Sequence, residues 1–315
     1  MKNKLKQIKS YLRLLKQNQT VLLSAVEDIR TMPTAYKTDN IIPDIATMTP
    51  FKNGETWGQG KDTHAWFAFN VTATAPDTWL RISTDREKGW DVDNPQFILY
   101  FDGKMVQGLD INHRLTPLPV GKTISAALYA YTGAKTDRAT LSLELVCIDP
   151  DVEGLYYDLA YPYGMLSYLD EESTEYARII NYLWHATAML NLFDLQSPTF
   201  GESVRAARAY LGTEFYGKYC RPQSATTVCV GHTHIDCAWL WTLKQTREKV
   251  QRSFSTVLAL MGQYPEYRFT SSQAFLYKNL KEEAPDLRSA ALRVSVPLRF
   301  TQDDTGGWIF YFVSS

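Results

Sequence analysis

The sequence predicts an α+β protein, with an N-terminal helix and an antiparallel β-sandwich, then a helical connecting region, and finally the start of a parallel α/β domain. Three observations predict this order. Apolar residues recur every three or four positions near the N-terminus and every second position in the middle of the chain. Beyond residue 225, strand-like and helix-like segments alternate, which is typical of a parallel α/β sheet.

The first half of the chain accounts for the helix and the sandwich. Residues 4–29 place Leu, Ile and Val at helical spacing, so one amphipathic helix is expected there. The polar, Pro-containing stretch 31–60 is expected to be a linker. Between residues 64 and 148, short β-rich runs alternate with turns, which favours an antiparallel sandwich. The Asp102-Gly103 pair between two of these runs predicts a hairpin turn.

The second half begins with helices and changes to alternating elements. Helices are expected over 174–193 and 202–217, separated by a capping break at 197–203. A strand, a helix, a second strand and a second helix are then expected over 225–231, 243–263, 268–273 and 274–285. The tail departs from this pattern, and it is expected to be either a final strand pair or sequence foreign to the fold. The predicted segments are therefore 1–60, 61–150, 151–224, 225–287 and 288–315.

The composition excludes several functional classes. With 33 Lys+Arg, 34 Asp+Glu and a net charge of -1, the chain lacks the basic excess of a nucleic-acid binder. No apolar run is long enough to span a membrane, and the basic N-terminus does not have the form of a secretory signal. Four scattered cysteines do not form a disulfide framework, which favours a reducing cytoplasmic compartment. Aromatic residues make up 13% of the chain, a level that suits either sugar handling or a large core.

The most chemically distinctive segment is HTHIDCAWLW. In an extended chain, His232, His234 and Asp236 share one face, and their nitrogen and oxygen donors suit Zn²⁺. Trp239 and Trp241 follow directly and offer flat surfaces on which a sugar ring can stack. The alternative is a pair of hydrogen-bonded histidines with Asp236 as the N-cap of the next helix.

Other polar residues are assigned structural or solvent-facing roles. The isolated histidines His64, His113 and His185 are expected to be structural, and Cys237 to be a small packing residue. Cations that alternate with acids are expected on a solvated face of the next helix, namely Lys244, Arg247 and Lys249.

Two stretches carry a family resemblance. Residues 230–285 read VGHTHIDCAWLWTLKQTREKVQRSFSTVLALMGQYPEYRFTSSQAFLYKNLKEEAP, which resembles the start of the catalytic domain of the retaining, metal-dependent α-mannosidases of glycoside hydrolase family 38. Upstream, residues 94–114 read NPQFILYFDGKMVQGLDINHR and resemble the sandwich segment that precedes this domain in the cytosolic and vacuolar branch. The resemblance covers roughly residues 1–287.

The resemblance implies an activity and a set of roles. Such enzymes hydrolyse terminal α-linked mannose from oligosaccharides through a carboxylate nucleophile and a second carboxyl group that serves as acid and base. His234 and Asp236 match two zinc ligands, with cobalt as the alternative metal, while His232 matches the motif without being a ligand. Trp239 matches the aromatic residue that lies against the mannose ring. A cytoplasmic location and a homo-oligomer in the full-length form are also implied.

The resemblance also identifies what is missing. The family's nucleophilic Asp, itself a metal ligand, and its last histidine ligand lie beyond the SSQ strand, yet no histidine follows His234. The late carboxylates Asp286, Asp303 and Asp304 lack the expected surroundings. We therefore expect a truncated or frameshifted form of a longer mannosidase, inactive alone. The alternative is a non-catalytic carbohydrate-binding or assembly module.

Overall fold

The structure is a computed structural model in which two compact units are distinguished. It describes residues 2–36, 41–85, 94–133, 138–220, 229–271, 273–285 and 287, and the backbone of 298–302 and 308–312. The helical unit comprises Met1–Leu23 and Val146–Thr227, and the sandwich unit comprises Ser24–Leu145 and Val228–Ser315. Together the helices and strands confirm the α+β class.

The helical unit is built from amphipathic helices around one apolar core. Its helices are α1 (Lys2–Gln17), α2 (Pro150–Met165), α3 (Thr174–Ala188) and α4 (Pro198–Tyr210), the last of which continues as a π-helix over Leu211–Tyr219. Asp149, Ser173 and Ser197 cap the N-termini of α2, α3 and α4 with side-chain oxygens that accept backbone N–H groups. The core contains Ile8, Leu15, Leu155, Ile180, Leu183 and Val204, all at most 1% exposed.

Three sequence-based boundaries in this region were wrong. The first helix ends at Gln17, where the Asn18 side chain donates to the Leu14 carbonyl at 2.8 Å. Residues Thr20–Ala25 then form strand β1 next to β12, because β-branched Thr20 and Val21 suit a pleated sheet and apolar spacing alone does not reveal pairing. Farther on, α3 ends five residues before 193. The predicted break over 197–203 contains the first turns of α4.

The sandwich consists of two sheets. The six-stranded sheet has the order β3-β2-β5-β10-β7-β8, and the four-stranded sheet has the order β1-β12-β6-β9. The bounds are β2 (Arg30–Thr34), β3 (Thr49–Pro50), β4 (Thr56–Trp57), β5 (His64–Thr72), β6 (Thr78–Ser83), β7 (Gln96–Phe101), β8 (Lys104–Leu109), β9 (Leu115–Pro117), β10 (Thr123–Tyr131), β11 (Ala139–Thr140) and β12 (Ser142–Ile148). Since β3, β4 and all but the first residue of β2 fall within 31–60, the expectation of a linker there was wrong.

One core fills the space between the two sheets. Phe67 and Leu128 from the larger sheet and Leu80 and Leu143 from the smaller one are fully buried in the same apolar cluster. The predicted hairpin is confirmed, because β7 and β8 pair antiparallel around Asp102-Gly103. Both turn residues have positive φ values, 48° and 81°, which a two-residue hairpin turn of this type requires.

The C-terminal part of the sandwich unit has the predicted alternating elements. Strand β13 (Gly231–His232) pairs in parallel with β14 (Phe269–Thr270), helix α5 (Leu243–Gln263) connects them, and α6 (Ala274–Glu283) follows. Helix α5 packs against β8, where the Thr256 hydroxyl donates to the Gly108 carbonyl at 2.8 Å. In the tail, β15 (Leu298–Gln302) and β16 (Trp308–Phe312) pair antiparallel, in line with one of the two expectations for it. Of the helices described, none is long and apolar enough to cross a bilayer.

Candidate functional site

The HTHIDCAWLW motif lies between β13 and the first turn of α5. The described part of the predicted 225–231 strand starts at Cys229, and β13 itself ends at His232. After β13 the side chains still alternate, because Ile235 is 4% exposed in the core beside Val250 while His234 and Asp236 face outward. The predicted alternation of side chains is therefore present over 234–236, although these residues do not form a regular strand.

His234 and Asp236 place a nitrogen and an oxygen atom close together, as two ligands of one metal ion would be. The His234 Nε2 and Asp236 Oδ1 atoms lie 3.1 Å apart, and the two side chains are 67% and 44% exposed. Nitrogen and oxygen ligands bind zinc at about 2.0–2.2 Å, so two ligands of a tetrahedral site are separated by about 3.3 Å. The pair thus fits two ligands of such a site with little rearrangement.

The rest of a metal site is not described. Within the described ranges, no group of three or more His, Cys, Asp or Glu side chains is placed to hold a metal ion. The late carboxylates Asp286, Asp303 and Asp304 lie outside the described residues. The pair accordingly fits half of a four-coordinate centre, to which water or further ligands would have to be added.

Trp241 and residues of α5 fix the backbone on the C-terminal side of the pair. The Trp241 Nε1–H donates to the Asp236 carbonyl at 3.1 Å, and the Lys249 Nζ lies 4.6 Å from the centre of the Trp241 ring. The Ala238 N–H donates to the Thr246 hydroxyl at 3.2 Å. Ala238 has a φ of 65°, a left-handed conformation that is costly for a residue with a side chain. The sequence carried no signal for this strained turn or for the position of Trp241.

Helix α5 has its own N-cap, which excludes one of the roles considered for Asp236. The Thr242 hydroxyl accepts from the Gln245 N–H, and the Gln245 side chain accepts from the Thr242 N–H, so a capping box begins the helix. The alternative in which Asp236 is the N-cap was therefore wrong. Asp236 is left facing outward beside His234.

Trp239 is placed where a ligand can reach it. Its side chain is 56% exposed, and its ring meets the Trp241 ring edge-on at a centroid distance of 5.6 Å. Its backbone N–H donates to the Trp241 carbonyl at 3.1 Å, which ties it into the same turn. Cys237 is exposed, so the expectation that it packs in the interior was wrong.

The solvated helix face predicted for Lys244, Arg247 and Lys249 was wrong for Lys249 and holds only in part for Lys244 and Arg247, whose side chains are 33% and 40% exposed. Lys249 is 6% exposed beneath Trp241, Arg247 donates to Glu283 at 2.8 Å, and Lys244 donates to Asp62 at 2.9 Å. Helix α5 lies between the sandwich and α6, so several of its polar residues from Gln245 to Thr256 are buried. Local charge alternation cannot reveal such coverage by distant strands.

The isolated histidines make structural contacts, as expected. His64 is 5% exposed, and its Nδ1 lies 2.7 Å from the Tyr129 hydroxyl and 3.2 Å from Glu248 Oε1. His113 lies 3.0 Å from Asp110. His185 lies 3.4 Å from the Tyr210 hydroxyl.

Comparison with known proteins identifies the segment that carries the pair. Residues 224–309 match the family described as "Glycosyl hydrolases family 38 N-terminal domain". The resemblance to glycoside hydrolase family 38 is confirmed. The matched range includes the whole motif and extends past residue 287 into the tail.

Individual similar proteins align over more of the chain than the family model does. Alpha-mannosidase 2C1 of Mus musculus is 27% identical over an alignment of 266 residues, which covers 76% of this chain and 24% of the relative. The Homo sapiens protein of that name is 28% identical over 273 residues, with the same coverage. Alpha-mannosidase G of Dictyostelium discoideum is 37% identical over 106 residues, 33% of this chain and 9% of the relative. The chain spans about a quarter of the length of the 2C1 relatives.

A solved structure offers no further guidance on the fold. The CBM51-2 and INT domains of Clostridium perfringens ZmpB, in complex with GlcNAc, align over 61% of this chain and 43% of that chain at 13% identity. The TM-score is 0.20, which supports no argument about fold or function.

Proposed function

We propose that residues 231–242 are part of the metal-dependent active site of a retaining α-mannosidase, and that His234 and Asp236 hold the metal. The observation that carries this proposal is the 3.1 Å separation of His234 Nε2 and Asp236 Oδ1 beside the exposed ring of Trp239. Zinc is the proposed metal, with cobalt as the alternative. Mixed nitrogen and oxygen donors suit both ions.

The residues of this loop have separate tasks. His234 and Asp236 supply two ligands, and the exposed face of Trp239 takes the C–H face of the mannose ring. Trp241 positions Asp236 through the hydrogen bond to its carbonyl, and α5 anchors the loop through Thr246. When bound, the metal supplies Lewis-acid stabilisation and contacts to sugar hydroxyls.

The proposed substrate is terminal α-linked mannose in oligosaccharides, met in the cytoplasm by a full-length protein that forms a homo-oligomer. The resemblance assigns the nucleophilic carboxylate and the remaining histidine ligand to positions for which this chain has no match. We therefore propose that the 315-residue chain binds metal weakly and does not turn over mannosides by itself. Each missing ligand removes a large share of the affinity of a metal site.

Cobalt titration tests the metal assignment on the chain as it stands. The expected result is one Co²⁺ site, seen in the visible absorption spectrum, that is lost in His234→Ala and in Asp236→Ala. His232→Ala is the matched control, because His232 lies in the same motif and is exposed outside the pair. A loss of Co²⁺ binding in His232→Ala, or its retention in Asp236→Ala, would contradict the assignment.

Turnover of an aryl α-mannoside tests the activity. A full-length version of the protein, supplied with zinc or cobalt, is expected to release the aryl group, and the 315-residue chain is not. Absence of turnover by the full-length protein would refute the mannosidase proposal. Turnover by the 315-residue chain would refute only the proposed dependence on further residues.

A further inference from the structure

Helix α1 presents a continuous positive face to solvent in the helical unit. Its 16 residues include six Lys or Arg and no Asp or Glu. Five of these cations, all exposed, recur at intervals of four and three residues and form what we call the basic stripe: Lys2, Lys6, Lys9, Arg13 and Lys16. At 3.6 residues per turn this spacing places all five within an arc of about 80°, over a length of about 21 Å.

The basic stripe is not neutralised by the part of the chain that the structure describes. Among the ion pairs between described residues, none includes one of the five cations. Like charges four positions apart destabilise a helix, and α1 has no acid of its own to offset them. The helix is held instead by its apolar side, where Ile8 and Leu15 are 0% exposed. A negatively charged partner would remove the repulsion that the basic stripe adds.

The surroundings of α1 decide what kind of anion fits. An amphipathic helix binds a membrane by inserting its apolar side into the lipid, but in α1 that side packs on α2 and α3. A nucleic-acid partner normally requires a basic excess, and the chain has a net charge of -1. The basic stripe is therefore best suited to an acidic protein surface.

Lysines of α1 also pack on aromatic rings within the unit. The Lys4 Nζ lies 4.3 Å from the centre of the Trp184 ring, and the Lys16 Nζ lies 5.8 Å from the centre of the Tyr156 ring. A cation above a ring face is attracted by the π electrons. A partner surface that combines carboxylates with an exposed tyrosine would thus match this helix in two ways.

The helical unit itself carries such a surface, over residues 168–175, which we call the acidic segment. Four of its side chains are exposed carboxylates that form no ion pair with a described residue: Asp170, Glu171, Glu172 and Glu175. The ring of Tyr168 lies at the start of the segment and is 90% exposed. Tyr161, on the preceding helix α2, is 68% exposed. The chain therefore presents both a basic surface and its chemical complement.

We propose that the basic stripe of one chain binds the acidic segment of a second copy of the chain. Both surfaces lie on the helical unit, so a two-fold axis can bring each basic stripe against the other chain's acidic segment and make the contact twice. The contact uses neither the His234–Asp236 pair nor a sugar. It assigns a surface to the homo-oligomer proposed above, and its failure would leave the metal and mannosidase proposals standing.

Sedimentation velocity of the whole 315-residue chain tests the proposal. Exposed ion pairs are individually weak and are screened by salt, so we expect a dimer at micromolar concentration in low salt and at least tenfold weaker association at about 0.5 M NaCl. Reversing two charges of the basic stripe, Lys9→Glu with Arg13→Glu, should abolish the dimer. Reversing two charges of the acidic segment, Glu171→Lys with Glu172→Lys, should do the same.

A mixture of the two reversed chains tests whether these surfaces meet each other. In a mixed pair, the reversed stripe faces the reversed segment, and the two unchanged surfaces face each other as in the natural chain. A one-to-one dimer should therefore form, although neither variant associates alone. The matched control is Lys52→Glu with Lys104→Glu, which makes the same charge change as the reversed stripe at exposed lysines of the sandwich unit and should leave the dimer intact.

Several results would overturn the proposal. A chain that stays monomeric in low salt would do so, including one that binds anionic vesicles or DNA as a monomer. A dimer that the charge reversals leave unchanged, or a mixture that fails to associate, would also do so. Circular dichroism checks the fold of each variant. If the reversed stripe unfolds α1, Lys9→Gln with Arg13→Gln carries the test, because glutamine has a similar helix propensity, and unchanged association in that variant refutes the proposal.

Discussion

The substitution Gly108→Ala adds one methyl group where Gly108 contacts Arg252, and it therefore tests how closely α5 packs against the sandwich. A Cβ built on Gly108 would lie 2.6 Å from the Arg252 Cα, and closer still to its carbonyl oxygen. Carbon atoms pack at about 3.5–4.0 Å, so Gly108→Ala requires α5 and β8 to separate by about 1 Å. The obstacle is helix backbone, which cannot rotate away as a side chain can.

The expected cost follows from what the separation disturbs. Overpacking in a close-packed interior costs about 1–3 kcal/mol. A shift of that size also breaks the hydrogen bond from Thr256 to the Gly108 carbonyl, which contributes about 1 kcal/mol. It strains the buried ion pair of Arg252 with Asp110, in which both side chains are 8% exposed. Gly108→Ala is expected to lower the free energy of unfolding by about 3 kcal/mol.

Urea unfolding followed by tryptophan fluorescence measures this loss. Gly262→Ala is the control, because Gly262 is an exposed glycine in the last turn of α5 and a Cβ there meets nothing within 4 Å. Alanine in a helix is favoured over glycine, so the control should be neutral or slightly more stable. If Gly108→Ala lost less than about 1 kcal/mol, the close approach of α5 to β8 would be wrong.

Three further predictions concern a buried carboxylate, a helix cap and the exposed ring of Trp239. Burial alone would raise the pKa of Asp110, but the hydrogen bond with His113 and the charge of Arg252 hold it well below the usual range. The ionised Asp110 therefore contributes to the free energy of unfolding above about pH 4, and this contribution is lost as the pH falls. In Asp110→Asn, the free energy of unfolding should change less steeply with pH below pH 4. Thr242→Ala removes the capping box of α5 and should cost about 1 kcal/mol in urea unfolding. Trp239→Ala should weaken mannoside binding by a metal-loaded full-length protein about tenfold, measured by calorimetry, with Co²⁺ affinity unchanged. Equal losses of sugar and metal would instead make Trp239 a structural residue of the loop.

Local signals were sufficient for several elements. The bounds of α5 matched the sequence expectation because Thr242 and Gln245 form a capping box at one end and Pro265 follows the other. The hairpin at Asp102-Gly103 was predictable because few residue pairs adopt its backbone. The outward orientation of the His234–Asp236 pair followed from alternation around Ile235.

Long-range contacts limited the rest. Thr20–Ala25 has apolar residues that fit a helix, and only its neighbour β12, more than 100 residues away, makes it a strand. The buried polar face of α5 has the same origin, since the partners of Lys244 and Arg252 are Asp62 and Asp110. The stretch 31–60 was assigned to a linker, because its polar, Pro-containing sequence does not show that β2 and β4 pair with β5 and β11.

The sandwich unit is assembled from two stretches of sequence, and this affects how the protein folds during synthesis. The β8 surface around Gly108 leaves the ribosome early, whereas α5 emerges only after residues 146–227 have been made. At bacterial or eukaryotic elongation rates that delay is on the order of ten seconds. During this delay the Asp110 carboxylate lacks its ion-pair partner, Arg252 of α5, and the surface of β8 on which α5 packs is uncovered. Nascent chains stalled before residue 243 should therefore recruit chaperones more strongly than those released after residue 263.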